Sequence, residues 1–180
     1  MKFLAAVALP AYALDQLTKW WIYTHFQLDP SPEIAGKYPD AVEKTLHLPL
    51  DYVVIPDWFR IIHVGNTGAA FSFLAGHSWV FIGLSILAFL FLLVAWRRNM
   101  FPDALSRWGV ALILGGILGN VTDRLVHGYV VDFLSFDLHF PHANPFPAFN
   151  VADSCIFCAA CCFLLAAIQD ARKPKAAKPK

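Results

Sequence analysis

Charge is scarce in this 180-residue sequence, which has 14 Lys and Arg and 13 Asp and Glu against 58% hydrophobic residues. With a mean hydropathy of +0.53, that composition lies outside the range of soluble domains and places the chain in a membrane. The signatures of most hydrolases are missing as well: there is no H-E-x-x-H, no G-x-S-x-G and no G-x-G-D. Nor is there an internal repeat. The net charge of +1 offers no basis for nucleic-acid binding.

What is present is a set of long apolar runs. Crossing a hydrocarbon core of about 30 Å takes about 20 helical residues. Four stretches qualify, roughly 3–23, 78–96, 105–125 and 151–169. The second carries no charge between Ser78 and Trp96 and is bounded by Trp79 and Trp96, as at membrane interfaces. The first has a small-x-small pattern at Ala11-Tyr12-Ala13. Its apolar run continues through Leu17, Trp20, Trp21 and Ile22, so it reads as a span and not as a cleaved leader.

Orientation follows from the basic residues. Lys2, Arg97, Arg98, Arg107, Arg172, Lys173, Lys175, Lys178 and Lys180 flank one side, which the positive-inside rule makes cytoplasmic. On the other side Lys37, Lys44 and Arg60 are set among six acidic residues. The expected fold class is an all-α membrane protein of four transmembrane helices with both termini cytoplasmic. Outer loops are expected at 24–77 and 126–150. Residues 1–172 would form a single integral-membrane domain and 173–180 a basic disordered tail beside anionic lipid. Leu50 to Ile55 and Trp58 to Val64 are strand-like, which predicts a small extracytoplasmic β element.

Ionisable residues inside such segments are expensive in lipid and mark candidate sites. Asn120, Asp123 and Arg124 fall near the outer end of the third segment, and Asn150 and Asp153 at the outer start of the fourth. Between them Tyr129 to Phe133 reads as a short extended piece carrying Asp132. Three carboxylates thus meet at one membrane face. Two carboxylates sharing a proton can activate water and polarise a peptide carbonyl, the chemistry of an aspartic peptidase. Spacing does not choose between Asp123 and Asp132 as the partner of Asp153. Plainer roles also exist: Asn150 and Asp153 fit an N-cap with an N3 acid, and Asp123 could pair with Arg124. A proton-coupled transporter or a scaffold would use intramembrane charge too, but here the charges gather at one edge.

Four blocks occur in order along most of the chain: Asp15-Gln16-Leu17-Thr18-Lys19, Asn66-Thr67-Gly68-Ala69-Ala70-Phe71, Gly115 to Phe133, and Phe149-Asn150-Val151-Ala152-Asp153. Together they resemble the bacterial lipoprotein signal peptidase (signal peptidase II) family. The resemblance implies a four-helix membrane aspartic endopeptidase that removes signal peptides from diacylglyceryl-modified prolipoproteins at the outer face of the cytoplasmic membrane. It makes Asp132 and Asp153 the catalytic pair and Asp123 a supporting residue. By the same matching Asn66, Gly68, Asn120, Arg124, Asn150 and Ala152 line or support the site. Arg124 is suited to hold substrate carbonyls, and Asp15 and Lys19 form a supporting i,i+4 pair. No cofactor or metal is implied, and the expected partners are lipid-modified precursors and membrane lipid, with the enzyme a monomer. The segment from Pro30 to Pro49 departs from the family pattern as an insertion.

Two other features have plainer readings. Gly115 and Gly119 form a small-xxx-small face for close helix packing. Cys155, Cys158, Cys161 and Cys162 are spread along one helix, which suits packing better than a metal or a disulfide. His63 and His127 lie nearest the motifs and are given no catalytic role.

Overall fold

The computed structural model describes residues 1–68, 77–139 and 146–172. Ala69, Ala70 and Phe71, parts of both outer loops, and the tail from Lys173 onward lie outside these described residues. The elements run α1 (Lys2–His25), α2 (Pro32–Lys37), α3 (Pro39–Thr45), β1 (Asp51–Ile55), β2 (Phe59–Asn66), α4 (Ser78–Arg97), α5 (Ala104–Val126), β3 (Val130–Phe136) and α6 (Val151–Ala171).

Among the described residues, α4, α5 and α6 are long and apolar enough to cross a membrane. Leu84, Leu87, Leu90 and Phe91 of α4 are exposed, as side chains facing lipid would be. Helix α1 has 24 residues, about 36 Å at the helical rise, and is long enough. It is less apolar because of Asp15 and Lys19, and both are turned inward, at 0% and 3% exposure. The bundle packs α5 centrally against α1 and α6. Gly115 lets the backbones close: a Cβ there would meet the Ala8 carbonyl at 2.9 Å and Ala11 at 3.0 Å. Helix starts are set locally. Asp103 accepts from the Ser106 N–H at 2.8 Å, and Asn150 with Asp153 forms a capping box on α6.

Beyond one end of the bundle the three strands form an antiparallel sheet in the order β1-β2-β3. The expected β element is therefore present, extended by β3, which reaches three residues past the piece read from the sequence. Val64 lies opposite Asp132 and Asn66 opposite Val130. Two apolar clusters hold the molecule together. Leu4, Ala8, Val110, Ala111 and Leu114 fill the end of the bundle nearer the N-terminus. Ile22, Phe26, Leu28, Ile34, Val42, Tyr129, Val131 and Phe133 weld the sheet and the two short helices to the far end of α1.

Candidate active site

The site begins with a buried cation. The Lys19 ammonium lies 2.9 Å from Asp15 Oδ2, 2.9 Å from Asp123 Oδ2 and 2.9 Å from Asn120 Oδ1. An ammonium has three donors and no acceptor, so all three are used. The carboxylates on either side face backbone groups that would otherwise lack partners. Asp15 Oδ1 accepts from the Ala152 N–H at 2.8 Å, in the first turn of α6, and Asp123 Oδ2 accepts from the Val131 N–H at 3.0 Å, on β3. Gln16 Nε2 donates to Asp123 Oδ1 at 3.0 Å. One cation thus ties α1 to α5, and its two carboxylates tie that pair to β3 and α6.

The asparagines form the next layer, and the orientation of each follows from its surroundings. Asn120 must turn Oδ1 toward the Lys19 ammonium, so its Nδ2 faces Asp153 Oδ1 at 2.7 Å. Asn150 uses Oδ1 to accept from the Asp153 N–H at 2.9 Å, so its Nδ2 faces Asp132 Oδ1 at 2.7 Å. Asn66 accepts from the Gly68 N–H at 3.0 Å, and its Nδ2 faces Asp132 Oδ2 at 2.9 Å. Asn150 Nδ2 also reaches Asn120 Oδ1 at 3.2 Å. Every carboxamide oxygen is pinned by a group that can only donate, and every amide nitrogen is aimed at one of two aspartates. Asp132 and Asp153 are thereby joined through Asn150 and Asn120.

Both aspartates line one cavity of about 800 Å³. Asn66, Gly68, Asn120 and Arg124 share its polar part, and Val130, Phe146, Phe149, Ile156, Phe157 and Cys158 supply apolar wall. Asp132 is 2% exposed. Burial, and then the neighbouring Asp153, push its carboxyl up to about 8, against the opposing pull of Asn66, Lys19 and Asn150. His63 is buried with Nδ1 3.1 Å from the Phe26 carbonyl, and burial lowers it to about 4, which keeps it neutral.

The three carboxylates read from the sequence do meet at one end of the bundle, but they separate by environment. Asp123 is 2% exposed and held by Lys19, away from the cavity lining. Its ion pair is with Lys19 and not with Arg124, whose Nη2 donates to the Gly68 carbonyl at 2.8 Å and whose Nη1 donates to the Asn120 carbonyl at 3.3 Å. The i,i+4 pair of Asp15 and Lys19 is present as expected. Gly119 packs against the Asp15 carboxylate and against Ala152 Cβ, which a Cβ on Gly119 would meet at 3.0 Å. The four cysteines are free thiols on α6, and Cys158 reaches the cavity wall. The motif around Gln16 gives that side chain no legible role, and the sequence does not single out Ser78, whose Oγ donates to the Gly128 carbonyl at 2.7 Å. The one signal for either was a polar side chain on an otherwise apolar helix.

The family model for signal peptidase (SPase) II matches residues 7–169. The lipoprotein signal peptidase of Aeromonas hydrophila subsp. hydrophila is 41% identical over 160 residues, 86% of this chain and 89% of that protein. Its counterpart in Moorella thermoacetica is 37% identical over 150 residues, 83% and 82% of the two chains. That of Tolumonas auensis is 44% identical over 124 residues, 66% and 74%. The fold matches a solved structure described as a bacterial membrane enzyme at 2.3 Å, with a TM-score of 0.75, 23% identity and coverage of 100% of this chain and 96% of that one. A second, at 1.9 Å, gives a TM-score of 0.73 at 24% identity, covering 94% and 95%. The chain belongs to the signal peptidase II family.

Proposed function

We propose that this protein removes signal peptides from diacylglyceryl-modified prolipoproteins by aspartic catalysis at Asp132 and Asp153. The observation that carries the reading is the convergence of both carboxylates on one cavity, with three asparagines aimed at them. Asp153 takes a proton from a water molecule as that water attacks the scissile carbonyl carbon. Asp132, holding the shared proton, gives it to the carbonyl oxygen. Collapse of the resulting diol breaks the C–N bond as Asp153 gives its proton to the leaving nitrogen and Asp132 takes one back from a diol hydroxyl, which restores the starting dyad. Arg124 and Asn66 flank the cavity where an extended peptide backbone would lie. The apolar wall of α6 suits the signal peptide's own helix and an acyl anchor, each buried CH₂ of which adds about 0.8 kcal/mol.

The arrangement in the membrane belongs to the same proposal. Helix α1 joins α4, α5 and α6 as a fourth span, its charges facing the bundle, within a single domain of residues 1–172. Both termini are cytoplasmic, and the sheet and cavity lie at the outer face of the cytoplasmic membrane. The enzyme acts as a monomer. Asp132→Asn and Asp153→Asn, each assayed on lipidated precursor in detergent, are expected to lose more than about 100-fold in kcat. Retained cleavage by either variant would sink the assignment.

A further inference from the structure

The insertion read between Pro30 and Pro49 folds as α2 and α3, each opened by a proline at its first turn. It leaves and rejoins the chain at one point. The Gln27 N–H donates to the Pro49 carbonyl at 2.8 Å, and the Leu28 N–H donates to Thr45 Oγ1 at 2.9 Å. Residues 30–49 therefore form a hairpin whose two ends meet between α1 and the sheet.

Its contacts fall on the two segments that carry Asn66 and Asp132. Ile34 packs over Gly65, where a Cβ would sit 2.8 Å from Ile34 Cδ1. Glu33 accepts a hydrogen bond from the Thr67 hydroxyl. Thr67 is the middle residue of the turn in which the Gly68 N–H holds Asn66 Oδ1, the contact that turns the Asn66 amide toward Asp132. Tyr38 sits between the two helices, its N–H on the Ile34 carbonyl at 2.7 Å and its carbonyl accepting from Ala41 and Val42. From there its ring packs edge-on against Tyr129, 5.1 Å between centroids, and its hydroxyl donates to the Gly128 carbonyl at 2.9 Å. Gly128, at φ +83, makes the turn from α5 into β3, four residues before Asp132.

We propose that the α2–α3 hairpin is a brace for the active site, with Tyr38 and Glu33 as positioning residues that act through Gly128 and Thr67 on Asp132 and Asn66. Neither residue lines the cavity. The brace rests on the reading of Asp132 as a member of the dyad. It holds the two sides of the Asn66–Asp132 contact from behind, Tyr38 on the β3 side and Glu33 on the β2 side.

The test uses the full chain in detergent with lipidated precursor and compares Tyr38→Phe, Glu33→Ala, Glu33→Gln and Asp132→Asn. Loss of one such hydrogen bond is expected to lower kcat about three- to tenfold in Tyr38→Phe and Glu33→Ala, with KM within about twofold and the folded fraction unchanged. Glu33→Gln keeps an acceptor for Thr67 and is expected to recover most of the rate. Wild-type kcat in Tyr38→Phe and Glu33→Ala, or a loss wholly matched by unfolded protein, with Asp132→Asn inactive, overturns the brace alone. Cleavage by Asp132→Asn overturns the dyad, and with it the target on which the brace is said to act.

Discussion

Lys19 is one cation set between two buried carboxylates, and its removal would leave both uncompensated. Breaking a buried pair in this way is destabilising by about 3–5 kcal/mol, because the surviving charge stays desolvated. Lys19→Met is therefore expected to lower the thermal midpoint in detergent far more than Lys2→Met, whose side chain is exposed. A shift no larger than that of Lys2→Met would contradict the account of the hub. Asp132 predicts a pH dependence. Its carboxyl is raised to about 8, first by burial and then by Asp153. The folded chain thus keeps a proton that the unfolded chain releases near about 4. The stability this contributes is fully present below about 4 and is lost as pH rises through about 8. The rate should fall over the same alkaline limb, since the proposed acid step needs that proton. Asn66 pulls the carboxyl the other way, so Asn66→Leu should move the limb to higher pH. A profile that stays in place in that variant would argue against Asp132 as the titrating group.

At the scale of elements, Asn150 does two jobs, capping α6 through Oδ1 and holding Asp132 through Nδ2. Gly119 likewise combines close packing with contact to the Asp15 carboxylate. Gly119→Ala is expected to destabilise the bundle by about 1–3 kcal/mol through overpacking, seen as a lower unfolding midpoint, whereas Gly83→Ala on α4, with open space around it, should not. The apolar runs were legible to within two residues at each end: 78–96 became Ser78–Arg97 and 105–125 became Ala104–Val126. Length, composition and caps such as Asp103 act locally, so the sequence displays them. The partner of Asp123 was not legible. Its neighbour in the chain is Arg124, yet the packing of α1 on α5 delivers Lys19 instead, and that contact is tertiary. Helices α2 and α3 were hidden for a related reason. At six and seven residues they are too short to be helical by propensity, and burial of Ile34 and Val42 holds them.

For the whole molecule, the proposed orientation predicts unequal access from the two sides of the membrane. In a background lacking the four native cysteines, a thiol placed at Lys44 should react with an impermeant maleimide in intact cells, and one placed at Arg98 should not. Labelling at Arg98 and protection at Lys44 would invert the topology. The site also draws its groups from the whole length of the chain: Lys19 from the first helix, Asn120 from α5, Asp132 from the strand after it, and Asn150 and Asp153 from the start of the last helix. A ribosome releases those parts in that order. Until α6 leaves it there is no Asp153, and no Asn150 to steady Asp132, so under the proposed mechanism a nascent or truncated chain lacks half of the dyad and does not cleave. On that reading proteolytic competence arrives only with the final span, and every shorter chain is an inactive precursor of the enzyme.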